Sequence, residues 1–354
     1  MGGPYPVFDG HIDILSKLAT TDDDDFFDPA TTTTHFDLPR ADEGGVTGGL
    51  FALFAENPPA ADDARSAHLR DGDDVIEIAP AITESYARER TFAQLARLHR
   101  LEARSNGDLE VVTTADELRR SVGDDGCFTT LVHLEGATAL GHDLSYLPLF
   151  YEAGLRSVGL VWSRANAFGH GVPFRRPSSP DIGPGLTDAG RELVRQCNRR
   201  GIVIDLAHIN EAGFWDVAAH STDPLVVSHS AVHALSPSAR NLTDEQIDAV
   251  GESGGLVGLT LHVADVHPNC ERDAGVAVDV FVDHIDYVAD RIGVEHVALG
   301  SDFDGADMPD VVADASRVQA LFEGLAERGY TRDEIRRVAR DNWVSVLAET
   351  LSGE

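Results

Sequence analysis

Short apolar runs recur along the chain, separated by longer polar or amphipathic stretches. Eight of these runs read as β-strands, at 7–15, 49–55, 129–135, 157–162, 202–208, 225–229, 256–262 and 296–302. Most are continuously apolar rather than strictly alternating, which is the pattern of strands buried on both faces in a parallel sheet. Helical stretches fall between them. Residues 62–104 are charged and amphipathic and predict one or two helices. The segment 187–200 opens at Thr187, a good N-cap, and closes before Gly201. Thr243-Asp-Glu-Gln246 is a capping-box pattern followed by Ile247 and Val250. Residues 279–291 place Val280, Val282, Ile285 and Val288 at helical spacing, and Thr331 starts a further capped helix carrying Ile335, Val338, Trp343 and Val346. Eight strands alternating with helices predict an α/β fold, a TIM-like (β/α)8 barrel forming a single domain over residues 1–354; an open doubly wound sheet is the alternative. The acidic stretch TDDDDFFDPATTTTH at 21–35 predicts a loop excursion after the first strand.

Charge narrows the partners. Sixty acidic residues against 28 basic ones give a net charge of -32, and Lys17 is the one lysine among the 28. Such a surface repels phosphate backbones and anionic membranes, so neither nucleic acid nor a membrane surface is an expected partner. An acid-rich, lysine-poor composition predicts adaptation to a cytoplasm that holds molar salt; a GC-rich genome accounts for the missing lysines but not for the acid excess. No apolar run reaches about 18 residues, the length of a membrane span. The start, MGGPYPVFDGHIDIL, lacks the pattern of a signal peptide, and the end, VLAETLSGE, lacks the apolar tail of a lipid-anchor signal. A cytoplasmic location is the expectation. Cys127, Cys197 and Cys270 are odd in number and far apart, so neither disulfides nor a zinc-finger site is expected.

The candidate chemistry sits at the C-terminal ends of the strands, the face where barrel enzymes place their catalytic groups. Strand one ends in Asp9-Gly-His11-Ile-Asp13, and His11 and Asp13 alternate across Ile12 toward one side. Strand three ends at Glu135, strand five in Asp205-Leu-Ala-His208, strand six in Ser228-His229-Ser230 and strand eight in Ser301-Asp302-Phe-Asp304. Each motif alone is unremarkable. Together, three imidazoles and three carboxylates from five strand ends suit two divalent ions with a bridging carboxylate and a bridging water. His133 and His142 read as structural or surface residues, His233 and His262 as neighbours of the mouth, and Asp304 as support for the turn after Asp302. The role of Asp205 is open.

The segments DGHIDIL, HLEGA, DLAHI, VVSHS, ARNLTDEQI and ALGSDFDG resemble those of the membrane (renal) dipeptidases, the M19 metallopeptidases of the amidohydrolase superfamily. The likeness runs from Asp9 to the Asp341-Asn-Trp segment. It implies a metallo-dependent-hydrolase barrel with two zinc ions: His11 and Asp13 on one, His208 and His229 on the other, Glu135 bridging, and Asp302 beside the first ion as acid/base. It also implies that Arg240, eleven residues after His229, pairs with the C-terminal carboxylate of a substrate. One position departs. Where the mammalian members carry a substrate-contacting histidine after strand four, LVWSRANAFG places Trp162. The expected activity is zinc-dependent dipeptide hydrolysis, with a small dipeptide as the partner and a homodimer as the assembly left open. The alternatives are a related hydrolase of N-acyl amino acids or lactones, and a catalytically silent metal-binding protein.

Overall fold

The eight expected strands form in the computed structural model, which describes residues 3–18, 23–28, 33–58, 67–71, 74–122 and 127–351. They are β1 (Val7–Ile12), β2 (Val46–Phe54), β3 (Phe128–Glu135), β4 (Leu155–Gly159), β5 (Val203–Asp205), β6 (Val226–Ser230), β7 (Leu256–Leu259) and β8 (Val297–Leu299). Each pairs in parallel with the next, from β1 round to β8. The ring closes just beyond the last strand: Ile12 bridges Phe303, Asp302 N donates to the His11 carbonyl, and Asp13 N donates to the Phe303 carbonyl. The alternative of an open doubly wound sheet is therefore excluded. Burial on both faces accounts for the continuously apolar strands, since every described position of β3 and β6 is buried.

The expected strands overran at their C-terminal ends. Residues 206–208 and 300–302 leave the ladder, and after Asp13 the chain turns into a short helix, Ile14–Lys17. The stretch 62–104 also differs from expectation. Its first part forms an antiparallel ribbon of Ala67–Asp71 with Asp74–Ile78, and helix begins only at Glu84, behind the N-cap Thr83. Val75, Ile76 and Ile78 favour strand, and Pro80 bars helix just after them. The helices after Thr187, Thr243 and Thr331 carry the expected caps: each threonine hydroxyl accepts a backbone N–H three residues on, with full capping boxes at Thr243 and Thr331. Of the acidic excursion at 21–35, residues 23–28 and 33–35 are described; the remainder lies outside the described residues.

The barrel is plugged at its N-terminal end. The C-terminal helix Asn342–Leu351 inserts the fully buried Trp343 beneath Phe8, Leu50, Leu131 and Leu256, and its indole N–H donates to the Leu299 carbonyl at 2.7 Å. Gly10 makes this approach possible: a Cβ there would lie 2.2 Å from the indole ring. Burying so large an aromatic surface fixes that end as a packed floor, which leaves the C-terminal end for the site. No helix among the described residues is long and apolar enough to cross a membrane.

Candidate active site

Asp13, Glu135, His208, Arg240 and Asp302 line one cavity of about 500 Å³ at the C-terminal mouth, and His11 and His229 lie buried against Glu135. His11 Nε2 lies 3.3 Å from Asp13 Oδ2 and 3.9 Å from Glu135 Oε1. His208 Nε2 lies 3.0 Å and His229 Nε2 3.7 Å from the same Glu135 oxygen, and the two imidazole nitrogens are 3.0 Å apart. Donor atoms of His11, Asp13 and Asp302 fall within 4.8 Å of one another, as do those of His11, Glu135 and His229. Glu135 thus stands between two groups, with His11 against both: its ring is 4.0 Å from that of His229.

Backbone geometry aims these groups. His208 and Asp302 each lie three residues past a strand end, and each adopts φ of +66°, in the left-handed region that side chains other than glycine rarely occupy. Gly136, φ +83°, turns the chain directly after Glu135. A Cβ on Gly305 would stand 2.2 Å from both Asp13 Oδ2 and Asp302 Oδ1, so this residue lets the loop after β8 press against the two carboxylates.

A second ring of residues fixes the imidazoles. Ser163 Oγ lies 2.8 Å from His208 Nδ1, and Ser228 Oγ lies 2.8 Å from His229 Nδ1. The Ser228 hydroxyl gives its proton to Asp205 Oδ2 at 2.6 Å, so toward His229 it accepts. Nδ1 of His229 therefore carries the proton, and Nε2 presents its lone pair to Glu135. Asp205 is held in turn by N–H groups of Ala207 and Ser228. This settles its direction: it lies beneath the mouth, under His229, with His133 Nε2 at 3.5 Å.

Electrostatics follow from burial. Desolvation pushes Glu135 up to about 8 and Asp302 well above the usual carboxylate range, and it pushes His208 and His229 well below the usual histidine range. Burial would also depress His11, but the carboxylates of Asp13 and Glu135 outweigh it and raise the imidazole to about 10. Three carboxylates crowded into a desolvated pocket are poorly accommodated without positive charge. His11 Nδ1 and Asp13 Oδ1 are buried without a hydrogen-bond partner among the described residues. Bare imidazole lone pairs facing carboxylate oxygens, all within a few ångströms, are a donor set that fits divalent cations with nitrogen and oxygen preference.

Arg240 is buried on the cavity wall, with one donor, Nη2, on the His229 carbonyl at 3.1 Å. Trp162 forms another wall, its ring 5.1 Å from Phe54, 5.4 Å from Phe174 and 5.7 Å from His208. His262 also lines the cavity, and its Nδ1 donates to Asp265 at 2.9 Å. Burial would raise Asp265, but His262 and the nearby Arg176 hold it well below the usual range. His233 turns away and bonds the Ser178 carbonyl. His133 is buried against Ser157, and the exposed His142 pairs with Glu84. Asp304 does more than support its own turn: it accepts from the N–H groups of His35 and Phe36 and ties the end of the acidic stretch to the mouth. Ser163, Ser228 and the Asp265–Arg176 pair escaped sequence reasoning. Serines beside histidines are too common to signal a role, and Asp265 and Arg176 are 89 residues apart.

Residues 3–352 match the family described as membrane dipeptidase, peptidase family M19. Among solved structures, the chain is 40% identical to dipeptidase AC, a metallopeptidase of family M19, with a TM-score of 0.91 and 99% of each chain covered. It is 41% identical to a metallopeptidase from Rhodobacter sphaeroides liganded with a phosphinate mimic of the dipeptide L-Ala-D-Ala, at a TM-score of 0.91 over 98% of this chain and all of that one. Among curated proteins, it is 42% identical over 256 residues, 72% of this chain and 94% of the other, to an uncharacterized protein in the pqqA 5′ region of Klebsiella pneumoniae.

Proposed function

The chain belongs to the membrane dipeptidase family, peptidase family M19, and from that premise we propose that it hydrolyses the peptide bond of dipeptides with two divalent ions, zinc by preference, in a cytoplasmic setting. The observation that carries this reading is the clustering of His11, Asp13, Glu135, His208, His229 and Asp302 within a few ångströms of one another beside the cavity that Arg240 lines. His11 and Asp13 would hold one ion, His208 and His229 the other, and Glu135 would bridge them. The chemistry such ions supply when bound is Lewis-acid polarisation of a carbonyl and an acidified bridging water.

The chain's own groups do the rest. Ser228 and Ser163 hold the imidazoles in orientation, and Asp205 fixes Ser228. Asp302, made more basic by burial, takes the proton of the attacking water and returns it to the leaving amine. Arg240 has guanidinium donors left over from its bond to His229, and they clamp the terminal carboxylate of the substrate in a fork. The aromatic wall of Phe54, Trp162 and Phe174 packs a substrate side chain and keeps water off the reacting bond. The reading is tested with free dipeptides, dipeptide amides, N-acyl amino acids and lactones as substrates. Free dipeptides should turn over fastest. Arg240→Ala should lower kcat/KM about 10- to 150-fold on them, and far less on dipeptide amides. Equal losses on acids and amides would make Arg240 structural, and turnover confined to lactones or acyl amino acids would replace the dipeptidase reading.

A further inference from the structure

Arg164, two residues after Trp162, is a cation that the chemistry above does not use. It is 3% exposed, and Nε, Nη1 and Nη2 are all sealed from solvent without a hydrogen-bond partner among the described residues. A buried guanidinium normally sits in a carboxylate fork or on backbone carbonyls, because desolvating the charge without partners is costly. Here its Cζ sits over aromatic rings, 4.6 Å from the centroid of Trp162 and 5.7 Å from that of Phe54. Both rings line the cavity. The hydroxyl of Tyr86, which interacts electrostatically with Arg164, is likewise buried and unpartnered among the described residues. The backbone pins the arginine in place: its carbonyl accepts from Gly171 N, and Arg164 bridges Ala79 beside the ribbon.

The carboxylate that interacts most with Arg164 is Glu135, whose charge the proposed ions would share. Glu56, also on the cavity wall, is half exposed and has Arg90 at 4.0 Å. One full positive charge therefore stands against the Trp162 ring with no hydrogen-bonded carboxylate among the described residues, in a chain whose net charge is -32. Across an apolar ring of this thickness that charge is less screened than it would be in water. An anion placed on the cavity side completes it; a cation placed there is repelled.

We propose that Arg164, acting through Trp162, makes this wall select dipeptides bearing an anionic side chain, aspartyl or glutamyl, over their uncharged amides. Arg164 is here a specificity-determining residue that touches the substrate only through the ring in front of it. The inference rests on the dipeptidase reading. Two unit charges about 8 Å apart at an effective dielectric of about 20 interact strongly enough to change kcat/KM on the order of tenfold or more.

The experiment compares kcat/KM for Ala-Glu with Ala-Gln and for Glu-Ala with Gln-Ala, with Ala-Ala as reference, in the zinc-loaded enzyme. The same panel is run on Arg164→Lys and Arg164→Met. At one of the two positions the wild type should favour the acid about tenfold over the amide. Arg164→Met should bring that ratio near one, and Arg164→Lys should keep most of it. A structural role would lower all five substrates alike and leave the ratio unchanged, which would overturn the proposal. So would a wild-type ratio near one at both positions, a result that needs no variant to fold. Failure to hydrolyse any of the five would instead overturn the dipeptidase reading beneath it.

Discussion

His208 and Asp302 share a backbone device that their sequence contexts conceal. Each is the third residue after its strand, and each takes φ of +66°. A left-handed residue other than glycine costs on the order of 1 kcal/mol or more, and it persists only where surrounding contacts impose it. Here Asp302 N is tied to the His11 carbonyl, and Gly305 N and Ala306 N both return to the Asp302 carbonyl. The residue types were legible in the sequence; their aim was not, because a regular strand through 302 would point side chains by alternation alone. Arg164 escaped for a similar reason, since only packing distinguishes a buried arginine from a surface one. Asp302→Asn tests the proposed proton carrier cleanly. Asparagine tolerates left-handed φ, so the turn survives, while basicity is lost. The expected result is a kcat about 10² to 10⁴ lower with the fold intact. An unchanged kcat would move the acid/base role to another group.

At the scale of elements, the barrel strands and the capped helices were readable because apolar runs and threonine caps are local signals. The ribbon of Ala67–Asp71 with Asp74–Ile78 is hidden in the sequence because the charge and length of the stretch look helical and outnumber its β-forming residues. The helix Val278–Ile292 carries a feature no local pattern reveals. Its His284 is buried, accepts from Val232 N at 3.1 Å and donates to the Val266 carbonyl at 3.0 Å, stitching together the loops after β6 and β7. Burial pushes this imidazole down to about 4. The folded state thus binds fewer protons than the unfolded state between about pH 6.5 and 4, and stability falls as pH drops through that window. His284→Gln keeps a donor and an acceptor but cannot titrate. The variant is expected to be the less stable at pH 7, and the gap should shrink by about 3 kcal/mol on going to pH 4. Denaturant unfolding at pH 7, 5 and 4 measures it; a gap independent of pH would show that His284 is not held neutral.

For the whole molecule, the acid excess sets several carboxylates around single arginines. Arg291 bonds both Asp244 and Asp248, and Arg328 bonds Asp283 with Asp279 at 3.9 Å. Exposed pairs of this kind contribute little individually, so repulsion among the unmatched carboxylates dominates the surface. The Debye length falls from about 10 Å at 0.1 M salt to about 3 Å at 1 M, and the compact state gains more from that screening than the expanded chain does. The melting temperature should therefore rise strongly between 0.1 and 2 M KCl, and by less when zinc saturates the site, because ions that bind only the folded state already offset the mouth carboxylates. A melting temperature flat across that range would leave genome composition as the account of the missing lysines.

Dipeptide hydrolysis at this site is proposed to need two ions held by the convergent donors of the barrel mouth. Adding zinc back to chelator-treated protein in molar KCl, while following hydrolysis of a free dipeptide, tests it most directly. Turnover should be absent without metal and reach its plateau at two equivalents per chain, with Glu135→Gln binding little metal and staying inactive throughout. Full turnover without metal or at one equivalent would contradict the account, as would no turnover at two.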